Sequence, residues 1–393
     1  MRKRRLGLMA LVAAGASVAF LPGGVVRGHE PIVVDHGQRH RQPVIQIALL
    51  LDTSNSMDGL IDQARTQLWA IVNEFARCKR DGQSPRLQVA LYEYGNDGLP
   101  SANGHVRLVQ PFTGDLDLVS EKLWGLRTNG GSEFCGTVIG AATRELVWAD
   151  EKDAYRAIFI AGNEPFTQGE VDYRSAIGMA VGRGVIVNTI HCGDDNAGRS
   201  GQWADGARLG EGRYLWIDQN RAAPAVIAPQ DEKIRKLSLE LNETYVPYGD
   251  AGAVGALRQA NQDMVATSAP SAAAAGADVQ RAVAKANAQY NNAKWDLVDA
   301  LKDGEVKLEA LPAEALPEPM KELSKEERAK YVEGQATKRA ELQQQINALN
   351  DERGKYVAEK EKEQAKGGAE TLNSAVIKVV REQLAERQFE VEK

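Results

Sequence analysis

The five residues Asp52-Thr53-Ser54-Asn55-Ser56 place a carboxylate and two hydroxyls at alternate positions, directly after the almost entirely aliphatic run Val44–Leu51. An Asp-x-Ser-x-Ser loop gathers hard oxygen atoms around a point, which suits Mg²⁺, Mn²⁺ or Ca²⁺ and not zinc. Mg²⁺ keeps its waters and wants octahedral oxygens, so few direct protein ligands suffice, and a coordination position stays open for a ligand's carboxylate. The competing use of the same residues is structural. Asp and Ser after a strand commonly cap the next helix, and Ser56 stands just before Leu60.

Other chemistry is sparse. The three cysteines, Cys78, Cys135 and Cys192, allow either one disulfide, with Cys135 and Cys192 as the pair, plus a free thiol, or three buried thiols. His191-Cys192 invites a thiol-hydrolase reading, but no orienting acid is identifiable, so His191 reads as structural. His36 and His40 fall in a polar stretch and are assigned no metal. No Walker-type loop, HExxH or CxxC pair occurs. Trp203, Tyr214 and Trp216 read as core.

The elements that must position Asp52 alternate along the chain from Val44 to Tyr248. Strands are expected at Val44–Leu51, Leu87–Tyr94, Val106–Pro111, Tyr155–Ala161, Val185–Cys192 and Arg213–Ile217. Helices are expected at Leu60–Cys78, Leu116–Leu126, Thr137–Ala149, Val171–Gly182 and Ile234–Leu241. Several strands are apolar without alternation, as when helices cover both faces of a sheet. The alternation implies a doubly wound, mostly parallel α/β domain over residues 43–250. Ligands of such sheets sit beyond the carboxyl ends of the strands, where Asp52, Ser54 and Ser56 fall.

Residues 251–278 read as a helix and an Ala-rich linker, the latter from Ala266 to Asp278. Residues 279–393 read as an α-helical, partly coiled-coil region, beginning with one helix from Gln280 to Leu301. Three prolines between Leu311 and Pro319 break it. Leu342, Ile346, Leu349 and Tyr356 then follow at steps of four, three and seven, either a coiled-coil seam or the narrow face of a helical hairpin. A last amphipathic helix is expected from Leu372 to Gln388.

Residues 1–29 read as a signal peptide or membrane anchor: Arg2-Lys3-Arg4-Arg5 precedes the uncharged run Leu6–Phe20, which is rich in small residues. Export to the periplasm or beyond follows, with anchoring to the inner membrane if the segment is retained. Loss of residues 1–26 removes four positive charges and takes the formal charge from −6 to −10, which argues against a nucleic-acid partner.

Asp52-Thr53-Ser54-Asn55-Ser56, together with the strand–helix alternation, resembles the von Willebrand factor type A domain family, here as a bacterial exported member. In that family the loop forms the metal-ion-dependent adhesion site (MIDAS). The resemblance implies a Rossmann-like α/β sheet and a Gly-Gly-Thr-like second loop. That loop is matched by Thr128-Asn129-Gly130-Gly131-Ser132-Glu133, with Ser132 as the ligand hydroxyl and Thr137 a poorer match. Ser132 has a structural use too, as the N-cap of the following helix. The third element departs from the family: Gly162 stands where an Asp is usual; Asn163 or Glu164 could compensate, and Glu133 lies on the second loop, but none replaces it position for position. The implied metal set is Asp52, Ser54, Ser56, Ser132, Asn163 and Glu164, holding Mg²⁺ or else Mn²⁺ or Ca²⁺.

The implied function is protein binding, with a partner's acidic side chain completing the metal shell. The alternative is a metal-free structural or assembly protein acting through its C-terminal helices, including homo-oligomerisation. With only Glu133 and Glu164 as further acids for the site, no enzyme activity is expected.

Overall fold

The computed structural model describes residues 42–218, 225–364 and 372–391. The expected signal or anchor, residues 1–29, lies outside the described residues. The chain begins with β1 (Val44–Asp52), α1 (Asp58–Ala76), β2 (Cys78–Lys79), β3 (Arg86–Tyr94), β4 (Val106–Thr113), α2 (Leu116–Gly125) and α3 (Cys135–Glu145). It continues through β5 (Tyr155–Gly162), α4 (Tyr173–Gly182), β6 (Ile186–Cys192), α5 (Asp195–Ser200), α6 (Trp203–Leu209) and β7 (Glu211–Ile217). Helices follow: α7 (Asp231–Asn242), α8 (Gly249–Ser268), α9 (Pro270–Ala274), α10 (Ala277–Lys285), α11 (Leu297–Lys302), α12 (Glu318–Lys321), α13 (Lys325–Gln364) and α14 (Leu372–Glu386). The short strand β8 (Glu390–Val391) closes the described chain and pairs antiparallel with β2.

The main sheet has the order β4-β3-β1-β5-β6-β7. All its neighbours are parallel except β3 and β4. The chain first builds outward from β1 on one side and then from β5 on the other, so the order reverses between these two strands. That switch point opens a crevice at their carboxyl ends, because the connections on the two sides leave in opposite directions. Asp52 ends β1 and Gly162 ends β5, with Leu51 and Ala161 paired just before them. Topology alone therefore delivers the oxygen-rich loop to the crevice.

Both faces of the sheet are covered, which is why β1 can be almost entirely aliphatic up to Leu51, with Gln46 the exception. One face carries Ala48, Leu50, Ile158 and Ile160 against α3 and α4. The other carries Ile45, Ile47, Leu51 and Phe159 in a core that includes α1, α7, α10, α13 and α14. Cys135 belongs to the first core and Cys192 to the second, so the sheet separates them. All three cysteines are free and buried, which settles the disulfide alternative in favour of thiols.

The C-terminal helices are part of this body and do not project from it. Leu342 and Ile346 of α13, with Val379, Val380 and Leu384 of α14, are buried in the same core as α1. The four-three-seven seam is thus filled within the chain, and its first two residues are not free for another helix. Arg381 pairs with Glu74 of α1 at 2.5 Å, and Arg353 of α13 pairs with Asp231 of α7 at 2.7 Å. Gln383 accepts from the Tyr155 hydroxyl at 2.7 Å and donates to Asn188 at 2.8 Å, fixing α14 under the sheet. Among the described residues no helix is long and apolar enough to cross a membrane.

Two local expectations are corrected. The Ala266–Asp278 stretch is not a free linker: it finishes α8, forms α9 and begins α10, and Ala266, Ala272 and Ala277 pack tightly beside Trp124. Small side chains there permit close approach. Gln280–Leu301 is not one helix either. Asn287 and Asn291 accept from the backbone N–H two residues on, at 2.9 and 3.0 Å, and so turn the chain, while Asp296 caps α11.

A buried ionic cluster ties α2, α8 and α10 together. Arg281 bonds Asp117 and lies 2.5 Å from Asp263, with Trp69 stacked on its guanidinium. Lys285 reaches both oxygens of Asp263 at 3.0 Å. Burial alone would raise the Asp263 carboxyl, but Lys285 and Arg281 hold it below its ordinary 3.8. Asp263→Asn leaves two buried cations short of a partner and should cost about 3 kcal/mol in urea unfolding at neutral pH. Because the folded value is depressed, this contribution is present above 3.8 and lost as pH falls through the folded value, so variant and parent should converge in acid.

Candidate metal centre

Asp52 is fully buried, and its Oδ1 accepts from the Ser54 N–H at 2.7 Å, which bends the first loop back over the strand end. The Ser54 and Ser56 hydroxyls lie 3.2 Å apart, and Asn163 Nδ2 donates to Ser56 Oγ at 3.1 Å. Neither serine caps a helix through its side chain: Ser54 makes no capping bond, and α1 starts after Met57. Backbone bonds fasten this loop to its neighbours, Thr53 N–H to Tyr94 O at 2.8 Å, Asn129 N–H to Thr53 O at 2.9 Å and Asn55 N–H to Gly130 O at 2.9 Å.

The second loop brings an acid that the motif does not contain. Ser132 forms a backbone bridge to Gly95, and this swings Glu133 inward until it is 3% exposed. Gly95 has φ +79°, and a Cβ there would stand 2.7 Å from Asp52 Oδ1 and 2.8 Å from Glu133 Cγ. Both acids therefore close on one glycine. Burial raises the Asp52 carboxyl, with the nearby Glu164 charge adding to the effect. Glu133 is raised by burial, and then by its hydrogen bond and its charge repulsion with Asp52. Two buried carboxyls in contact favour keeping a proton between them unless a cation replaces it.

Three buried oxygens on these loops, Asp52 Oδ2, Glu133 Oε2 and Asn163 Oδ1, have no hydrogen-bond donor when both acids are ionised. An unpaired buried acceptor costs about 1–3 kcal/mol, more when charged. Three hard acceptors short of donors fit a divalent cation, with the Ser54 and Ser56 hydroxyls completing an all-oxygen set. Among the described residues there is no group of three or more His, Cys, Asp or Glu placed to hold a metal. The donor set is two carboxylates with neutral oxygens around them.

Of the expected ligands, Asp52, Ser54, Ser56 and Asn163 come together. Glu164 is half-buried at the rim, where Gln168 Nε2 lies 3.5 Å from its carboxylate, and the same Gln168 accepts from the Glu133 N–H at 3.0 Å. Ser132 contributes its backbone bridge and does not cap α3, whose N-cap is Phe134. Thr137 lies within α3, its methyl turned to Gly104. Gly162 has no room for a side chain, since a Cβ there would meet the Tyr94 hydroxyl at 2.4 Å. His191 is buried beside Trp203, and burial lowers its pKa, as suits a structural residue. Glu133, absent from the expected ligand set, and Tyr94, absent from every site expectation, both belong to the site. The only signal in the sequence is indirect: a motif lacking one carboxylate, with an acid next to its second loop.

No protein-family model matches the sequence, and no curated protein matches it. Similar solved structures include BatB, a conserved hypothetical protein from Bacteroides thetaiotaomicron, at 17% identity and TM-score 0.35, covering 44% of this chain and 90% of that one. The SpRpn10 VWA domain is similar at 15% identity and TM-score 0.34, over 47% of this chain and all of that one, 100%. Proximal thread matrix protein 1 from the mussel byssus, with a zinc-occupied MIDAS motif, is similar at 12% identity and TM-score 0.35, over 44% of this chain and 42% of that one. The strand order and the switch-point loop of the α/β part are those that the resemblance to the von Willebrand factor type A family implies.

Gly95→Ala should be among the most damaging single-methyl additions in the chain. Positive φ costs about 1–2 kcal/mol for an L-residue, and the methyl would push into both acids. The expected result is a lowered urea midpoint with an unchanged slope.

Proposed function

We propose that this chain is an exported protein-binding module whose type A domain engages a partner protein through a divalent cation at the β1–β5 switch point. Asp52, Ser54, Ser56 and Asn163 would hold the ion, and a partner's acidic side chain would fill a remaining position. The observation that carries this reading is the set of three buried, unpartnered acceptor oxygens, Asp52 Oδ2, Glu133 Oε2 and Asn163 Oδ1. Water could satisfy one such atom, but two buried carboxyls in contact need either a shared proton or a cation between them, and the cation satisfies the Asn163 oxygen as well. Binding rather than reaction is supported by the surroundings. The nearest thiol, Cys135, is buried and its pKa is pushed up by that burial, so it is no nucleophile. Export, to the periplasm or outside the cell, rests on the basic and apolar residues that open the sequence.

The test is calorimetric titration of Mg²⁺ and Mn²⁺ into the whole chain, since α10, α13 and α14 share the core of the α/β domain. Saturable binding that Asp52→Ala abolishes is expected, with partner capture lost in chelator. Absence of binding in both proteins would sink the metal-bridged mechanism.

A second reading, metal-free assembly through helices, is favoured by one surface. On α8 the side chains of Val254, Leu257 and Met264 are 58%, 63% and 63% exposed, at spacings of three and seven along one face. Sedimentation velocity over a range of concentrations distinguishes the readings. Self-association that Leu257→Lys with Met264→Lys removes would support helical assembly; a monomer throughout would remove this support.

A further inference from the structure

We propose that the site's second carboxylate has moved from the third loop to the second: Glu133 supplies the oxygen that Gly162 cannot, and the Tyr94 hydroxyl fills the space so vacated. This rests on the metal-binding reading above and goes beyond it, because the ligand is placed on a different loop from the one where the family resemblance puts it.

The exclusion at position 162 is steric. A Cβ on Gly162 would lie 2.4 Å from the Tyr94 hydroxyl and 3.1 Å from Asp52 Oδ2. The hydroxyl cannot easily step aside. Tyr94 is fully buried at the end of β3, donates to the Ala161 carbonyl at 3.0 Å and lies 3.8 Å from the Cys135 thiol. An aspartate at 162 is therefore incompatible with this tyrosine. The two positions form one choice.

Glu133 answers that loss from across the crevice. It faces Asp52 over Gly95, is almost wholly buried, and leaves Oε2 without a partner. A carboxylate buried in that state is costly unless a cation meets it. Glu164 is the rival, but it sits at the rim with Gln168 beside its carboxylate. Asp52 with Glu133 keeps two negative charges beside a divalent ion, so the exchange conserves charge while changing the loop that provides it.

The experiment is titration of Mn²⁺ and Mg²⁺ into the whole chain, comparing the parent with Asp52→Ala, Glu133→Gln, Glu164→Gln and the triple variant Glu133→Gln, Tyr94→Phe, Gly162→Asp. Glu133→Gln should weaken binding at least about tenfold, the lower end of what even outer partners of a metal contribute. Glu164→Gln should leave affinity within about threefold of the parent, a rim charge being solvent-screened. The triple variant should recover affinity, with the carboxylate restored to the third loop.

If the parent binds and Asp52→Ala does not, but Glu133→Gln binds as the parent does, the relocation is wrong and the metal reading stands. The relocation is equally wrong if Glu164→Gln is the variant that loses affinity. If parent and Asp52→Ala both fail to bind, the metal reading falls and this inference with it. Melting in chelator separates ligand from scaffold. Glu133→Gln should melt no lower than the parent there, and a fall matching its loss of affinity would assign Glu133 to structure and overturn the proposal. Should the triple variant fail to fold, the Glu133→Gln and Glu164→Gln comparison decides alone.

Discussion

A carboxylate with no exposure to water, Asp52 at the end of the central strand, is the constraint around which this molecule is arranged. β1 is clamped between two parallel neighbours and covered on both faces, so its last residue has nowhere to turn its side chain except into the crevice. A buried carboxylate must be met by donors or by positive charge. The first loop meets half of the need with the Ser54 N–H. The remaining oxygen, Oδ2, faces the Gly162 turn, and among the described residues it has no hydrogen-bond donor when the acids are ionised. The surrounding loops are then tied to one another through backbone bonds that would be pointless if the crevice were free to open.

The helical layer bears on this arrangement from a distance. Sheet, α1, α10 and α14 share one core, so the face of the sheet opposite α3 and α4 is sealed by parts of the chain remote in sequence. Arg281, Lys285 and Arg339 are buried with acids of neighbouring elements, and such clusters set which helix lies against which more than they add stability. The consequence for function is geometric. With both faces covered, the carboxyl edge of the sheet is where Asp52, Glu133 and Asn163 hold oxygens that have no donor among the described residues when the acids are ionised.

Much of the fold was legible because its signals are local. The central strands β1, β3, β5 and β6 are largely apolar runs, and the alternation with helices implies a mostly parallel order. The Ala-rich stretch around Ala272 misled because low complexity and tight packing use the same residues, and only Trp124 against it tells them apart. The seam at Leu342 and Ile346 left two readings open, because a helix buries the same stripe whether the partner is a second chain or α7 and α10 of its own. Residues 195–209, left unassigned by periodicity, form α5 and α6, the first begun by the Asp194 cap. In the site, Asp52, Ser54 and Ser56 were readable as a contiguous motif. The place of Glu133 was not, because it depends on the Ser132–Gly95 bridge between segments far apart in sequence.

Gly162 shows why a motif read position by position understates a site. The motif records where a carboxylate is attached, whereas an ion responds only to where its oxygens arrive. Tyr94, an aromatic on a buried strand, reads as core from sequence; in three dimensions its hydroxyl decides whether β5 can end in an acid at all. Once that space is taken, the pressure to place negative charge in the crevice falls on whichever loop can reach it, and the second loop can because Gly95 leaves room beside Asp52. The apparent degeneracy of the third loop and the burial of Glu133 are therefore two sides of one steric exchange. The loss of a motif residue is evidence against a site only when no neighbouring loop has moved an equivalent atom into its place.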